Sequence, residues 1–126
     1  MVQSSDKKPV VLIVEDEFLI RMQAVDMVSA AGFDVVEAAS ADEAILILER
    51  RFDISVVFTD INMPGSMDGL KLAAAVRDRW PPIKIVATSG LRTGKDELPP
   101  GSRFLTKPYN PSQIVGTLRE LTGAAQ

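Results

Sequence analysis

The chain has 126 residues, a formal net charge of −3, no cysteine and no histidine. That length makes one ordinary domain, able to bury roughly two-thirds of its unfolded surface in a single core. The missing side chains exclude disulfides, thiol catalysis, phosphohistidine and any metal site not built from oxygen, and the charge balance, with no dense basic stripe, argues against direct nucleic-acid binding.

The first predicted element is the strand Val10-Val11-Leu12-Ile13-Val14, continuously apolar and β-branched like a central parallel strand covered on both faces. It is far too short to span a membrane, and Glu15 interrupts it too early for a secretory signal; no membrane contact and a cytoplasmic location are expected. Phe18, Met22, Val25 and Val28, with Leu19 beside Phe18, recur at helical spacing and predict a first helix stopping at Ala30-Ala31-Gly32. Phe33 to Ala38 reads as a second strand, and Ser40-Ala41-Asp42-Glu43 has the form of a capping box opening a helix through Leu48 and Arg50. Ile54 to Phe58 is the third strand, followed by Asp60 and the loop Ile61-Asn62-Met63-Pro64-Gly65-Ser66-Met67. Asp68 is placed to cap a helix carrying Leu70, Leu72, Ala73 and Val76, which Trp80-Pro81-Pro82 ends. Ile83 to Ala87 is the fourth strand, with Thr88-Ser89-Gly90 at its carboxyl end. The stretch from Gly90 to Gly101 is short and rich in glycine and proline, which predicts a fourth helix that is short, frayed or missing. Arg103 to Thr106 is a short fifth strand, and Asn110-Pro111 with Gln113 starts a final helix whose stripe is Ile114, Val115, Leu118 and Leu121.

This alternation implies a doubly wound α/β sheet with helices on both faces, in which ligands bind beyond the carboxyl ends of the strands. Three such ends carry reactive groups: Glu15-Asp16, Asp60 and Thr106-Lys107-Pro108. Three carboxylates within about 5 Å repel by roughly 3 kcal/mol per pair at an effective dielectric of about 20, so they need a cation or raised pKa values. Magnesium takes oxygen ligands and keeps several waters, which suits Asp16, Asp60 and a nearby backbone carbonyl. Asp60 is then placed as a nucleophile toward phosphorus, with Lys107 and the Thr88 hydroxyl supplying a cation and a hydrogen-bond donor. Singly, each feature has a plainer explanation. Acids from Glu15 to Glu17 suit a helix N-terminus, Asp60 suits a turn, Thr88-Ser89-Gly90 is an ordinary strand-to-loop cluster and Lys107 a solvated lysine. Met22, Met27, Met63 and Met67 read as packing.

The segments Val11-Leu12-Ile13-Val14-Glu15-Asp16-Glu17, Phe58-Thr59-Asp60-Ile61-Asn62-Met63-Pro64-Gly65, Ala87-Thr88-Ser89-Gly90 and Phe104-Leu105-Thr106-Lys107-Pro108-Tyr109 together resemble the receiver domain of bacterial two-component response regulators. The resemblance implies a flavodoxin-like five-stranded parallel sheet of order 2-1-3-4-5, and a single receiver domain over residues 1–126 with no output domain. It implies phosphorylation of Asp60 by a histidine kinase or phosphotransfer protein. Asp16 would bind Mg2+ directly, Glu15 through water and Asn62 through its main-chain carbonyl, while Thr88 and Lys107 would contact the phosphoryl group. Phe104 would be the aromatic that turns inward when Thr88 moves, and Lys107-Pro108 would hold a cis bond. The protein would then be a phosphoacceptor signalling domain, catalysing only its own phosphorylation and dephosphorylation. Its outputs would be control of a downstream protein partner, onward relay of phosphate or a phosphorylation-dependent homodimer.

Three departures stand out. Glu15 occupies a position where aspartate is more usual, Ser66 lengthens the loop after Asp60 by one residue, and the region of the fourth helix is degraded. The loop from Ser89 to Gly101 is accordingly expected to be the element that phosphorylation orders. A receiver fragment of a longer regulator or hybrid kinase is the nearest alternative. A Mg2+-dependent aspartyl phosphohydrolase of the haloacid-dehalogenase type would resemble Asp-x-Asp, and Asp60-Ile61-Asn62 lacks the second acid. A flavodoxin-like electron carrier would set its cofactor phosphate against Glu15-Asp16-Glu17.

Overall fold

The computed structural model describes residues 8–63, 65, 67–90 and 95–123. In chain order the elements are β1 (Val10–Val14), α1 (Phe18–Ala30), β2 (Asp34–Ala38), α2 (Ala41–Arg50), β3 (Ile54–Asp60), α3 (Gly69–Arg79), β4 (Lys84–Ser89), a 3-10 turn (Lys95–Glu97), β5 (Arg103–Thr106) and α4 (Pro111–Thr122). The strands form one parallel sheet in the order β2-β1-β3-β4-β5.

Every residue of β1 is buried because the strand feeds two cores by alternation. Val10, Leu12 and Val14 pack with Ala44 and Leu48 of α2 and Leu72 and Val76 of α3. Val11 and Ile13 pack on the other face with Ala24 and Val28 of α1 and Ile114 and Leu118 of α4. Each large aliphatic side chain so buried contributes about 1.5–3 kcal/mol, set against the entropy of ordering the chain. Met63 and Met67 join the first core and Met27 the second, as packing residues.

Local chemistry ends the helices where the sequence indicates. Gly32, at φ 98°, donates to the Ser29 carbonyl at 3.0 Å while Phe33 donates to Val28 at 3.4 Å, and both Val28 and Phe33 lie in the second core. That is a Schellman stop, with glycine supplying the left-handed residue. Asp68 caps α3 by accepting the Lys71 N–H at 2.9 Å. Asn110 and Gln113 form a reciprocal capping box on α4, at 2.9 and 2.8 Å. The box expected at Ser40 is offset by one residue: Ser40 accepts from the Glu43 N–H, but the Glu43 carboxylate takes the N–H of Ala39.

Two expectations need correction. Phe18 and Leu19 do not belong to the buried stripe of α1, being 61% and 73% exposed. The first turn of α1 follows the short loop after β1 and is left open, and full burial begins at Ala24. β3 and β4 also run further than their apolar runs, to Asp60 and Ser89. Between β4 and β5 the described residues hold only the three-residue turn Lys95–Glu97 in place of a fourth helix, in keeping with the breaker-rich sequence. Part of the loop expected to respond to phosphorylation, residues 91–94, lies outside the described residues, as do Pro64 and Ser66. The Lys107-Pro108 bond is cis. Among the described residues no helix is long and apolar enough to cross a membrane.

Candidate functional site

The parallel register aligns the carboxyl ends of four strands along one edge. Val14 stands opposite Thr59, Asp60 opposite Thr88 and Ser89 opposite Thr106. Glu15 follows β1 directly and Lys107 follows β5, so residues up to 92 positions apart in sequence meet there.

Ligand oxygens of Glu15, Asp16 and Asp60 all lie within 4.8 Å of one another. Glu15 and Asp60 are only 4% and 6% exposed. Lys107 Nζ bridges them, donating to Glu15 Oε1 at 3.2 Å and to Asp60 Oδ2 at 3.1 Å. Burial pushes the Glu15 carboxyl above its ordinary range; the Glu17 N–H bond and the Lys107 charge oppose this, and the Asp60 charge adds to it. For Lys107, burial favours the neutral amine, but the hydrogen bond and charge of Asp60, followed by Glu15, outweigh it and raise its pKa. The ammonium therefore stays charged.

Thr88, 2% exposed, lines a void of about 10 Å³ with Glu15, Asp60, Phe58 and Tyr109. Asn62 is exposed on the loop after β3. Its N–H donates to Asp60 Oδ1 at 3.2 Å, and its side-chain Oδ1 accepts from Ser89 Oγ at 2.7 Å. Phe104 lies on β5 opposite Ala87, next to the Thr88–Leu105 pair, and is half-buried outside the acid cluster. The geometry thus joins Glu15, Asp16, Asp60 and Lys107, sets Thr88 and Asn62 beside them, and leaves Phe104 one strand away.

Three further residues shape the site. Arg21 reaches back from α1, donating to the Glu15 carbonyl at 2.8 Å and to Glu37 Oε1 at 3.1 Å, and so ties the acidic loop to β2. A Cβ on Gly69 would fall inside contact distance of the Asp60 carbonyl oxygen and 2.7 Å from the Ile61 Cα, so only glycine lets α3 start this close to Asp60. Ser89 is fully buried. Nothing local in the sequence marks Arg21, whose partners come from strand pairing. For Gly69 the signal was its place directly after the cap Asp68.

Residues 11–119 match the model of the response regulator receiver domain family. The chain belongs to that family. This receiver is 36% identical over 116 residues to the sensor kinase CckA of Brucella abortus, an alignment covering 88% of this chain and 12% of the kinase. It is 34% identical over 122 residues to the aerobic respiration control protein ArcA of Escherichia coli K12, covering 90% of this chain and 48% of ArcA. The receiver thus spans half or less of the length of these curated relatives. Its fold superposes on a crystal structure of a response regulator receiver protein from Sinorhizobium medicae with a TM-score of 0.87 and 28% identity, covering 94% of this chain and 97% of that one. As a receiver of the two-component type it is a signalling domain, and its acidic cluster is compatible with a divalent metal and an aspartyl phosphate.

Proposed function

We propose that this receiver takes a phosphoryl group onto Asp60 from a phosphohistidine of a histidine kinase or phosphotransfer protein, and that the modified form alters binding of a protein partner or passes the group onward. The observation that carries the reading is the convergence of two acids, an ammonium and a loop N–H on the buried carboxylate of Asp60. In the transfer, an Asp60 carboxylate oxygen bonds to phosphorus as the donor's phosphorus–nitrogen bond breaks, its electron pair leaving on the imidazole nitrogen. The chain itself has no histidine, so the donor group comes from outside these residues.

The protein's part is positioning and charge. Lys107 stands against Asp60 where negative charge accumulates on the transferred group, and the buried Thr88 offers a hydroxyl from the adjacent ladder position. Glu15, Asp16 and Asp60, with the main-chain carbonyl of Asn62, would hold Mg2+; the cluster fits a hard cation because its donors are all oxygen and mutually repulsive. When bound, the ion supplies positive charge to the phosphoryl oxygens. Phe104 is assigned the conformational readout, from its place beside the Thr88 ladder position. A cleft of about 380 Å³ lined by Ile20, Gln23, Met27, Lys107, Pro108 and Tyr109 shares Lys107 with the acids and offers a donor protein a mostly apolar seat; Phe18 and Leu19, exposed, belong to the same helix as Ile20, Gln23 and Met27.

Incubation of wild type and Asp60→Asn with Mg2+ and a small phosphoryl donor such as acetyl phosphate, read by intact mass, tests this. One added, base-labile phosphoryl group in the wild type alone is expected. Equal gain on the variant, or none on the wild type, refutes the reading.

A further inference from the structure

We infer that Ser89 is a positioning residue that ties the Asp60 loop to Lys107 at the end of β5, and that its hydroxyl sets the orientation of the Asp60 carboxylate through Asn62. The inference rests on the reading of Asp60 as phosphoacceptor. Ser89 ends β4 and is 0% exposed. Its carbonyl accepts the Lys107 N–H at 2.8 Å, and its Oγ donates to Asn62 Oδ1 at 2.7 Å. Each bond continues to a different oxygen of the same carboxylate. Asn62 N–H donates to Asp60 Oδ1 at 3.2 Å, and Lys107 Nζ donates to Asp60 Oδ2 at 3.1 Å. Two arms thus leave Ser89 and close on Asp60.

A buried serine hydroxyl needs a partner. This one reaches across the sheet edge to an exposed side chain 27 residues earlier in the chain. Water competes freely for the amide of an exposed asparagine, whereas a donor fixed in the core does not reorient. The bond therefore anchors the Asn62 backbone from below and with it the N–H that aims Asp60 Oδ1. For a transfer that depends on in-line approach, the orientation of that carboxylate controls the rate. Of these two arms Ser89→Ala removes the one through Asn62, because the main-chain bond to Lys107 survives it.

The test is a double-mutant cycle on the whole 126-residue chain: wild type, Ser89→Ala, Asn62→Ala and the double variant, phosphorylated with acetyl phosphate at saturating Mg2+ and followed by quenched intact mass. Each single variant is expected to slow the saturated rate by about 3- to 10-fold with the half-saturating donor concentration unchanged, a fivefold change being about 1 kcal/mol. The double variant should be no slower than the slower single one, since Ser89 acts through Asn62. An unchanged Ser89→Ala rate, or losses that multiply in the double variant, overturns the positioning role while the phosphoacceptor reading stands. A wild type that gains no phosphoryl group overturns that reading and the inference with it.

Discussion

Replacing Asp60 by asparagine should make the metal-free protein more stable while abolishing phosphorylation. Asp60 is repelled by Glu15 and Asp16, whose ligand oxygens lie within 4.8 Å, and attracted by Lys107 at 3.1 Å. At an effective dielectric of about 20, each repulsion is worth about 3.5 kcal/mol and the attraction about 5, leaving about 2 kcal/mol against the folded state. Asp16 is only half-buried, and screening there brings the net to about 1 kcal/mol. The amide oxygen that replaces Oδ1 can still accept the Asn62 N–H; the amide nitrogen at the Oδ2 place cannot accept from Lys107, whose ammonium keeps Glu15 Oε1, and that loss is the attraction already subtracted. Thermal unfolding in a chelator should therefore place Asp60→Asn about 4 °C above wild type. With Mg2+ at about 100 times its dissociation constant the wild type gains about 2.7 kcal/mol and the variant, short of one ligand, gains less, so the order reverses. A variant less stable than wild type in chelator, or an order insensitive to Mg2+, would refute the electrostatic account of the site.

Gly69→Ala forces its Cβ into the Asp60 backbone, so urea unfolding should show a loss of about 1–3 kcal/mol and the phosphorylation rate should fall more than about tenfold, the carboxylate having moved. Arg21→Met frees the acidic loop from β2; isothermal titration should find Mg2+ affinity weakened about fivefold, and Arg21→Lys should not restore it, because one ammonium cannot reproduce the forked contact to Glu37 and the Glu15 carbonyl. Glu15 has a folded-state pKa above its ordinary value of 4.5, so the folded protein binds the extra proton, and metal-free stability should fall as pH rises from 4.5 through the raised value. Glu15→Gln should flatten that part of the pH–stability curve in denaturant titrations. Tyr109 is the sole tyrosine, and burial raises its phenol above 10.0, so phenolate absorbance should lag behind that of a free tyrosine until the protein unfolds.

Most of the architecture was legible because β1 is uniformly apolar and the helix ends carry explicit chemistry at Asp68 and at Asn110 with Gln113. Reading by hydrophobic run stopped β3 at Phe58 and β4 at Ala87, yet the backbone ladder continues through Asp60 and Thr88, and Ile61 still donates to the Thr88 carbonyl at 2.8 Å. The side chains there turn polar because the site begins, while the main chain goes on pairing. Phe18 and Leu19 keep the helical period and lie in α1 as the sequence indicates, but they are exposed, and the period alone does not say which turn is covered. Arg21 and Ser89 were illegible as site residues, since what matters about each is a contact made across strand pairing, and periodicity carries no record of that.

Glu15 shows how one methylene redistributes the charge of this site. Its Oε2 accepts the Glu17 N–H at 3.1 Å, within its own loop, while Oε1 reaches Lys107 at 3.2 Å. An aspartate at this position would be shorter by about the length of one carbon–carbon bond, and one side chain could then hardly serve both partners. The longer acid thus lets the lysine be shared between Glu15 and Asp60, rather than committed to Asp60 alone, and leaves Asp16 as the acid of the cluster most open to solvent. A divalent ion approaching from solvent would meet Asp16 first and would compete with Lys107 for the other two carboxylates. Charge neutralisation by the lysine and by a metal are therefore opposed events at Glu15 and Asp60. On the proposed phosphoacceptor reading, the lysine that offsets the repulsion between Glu15 and Asp60 in the metal-free site is also the one whose ammonium would turn from Glu15 toward an incoming phosphoryl group.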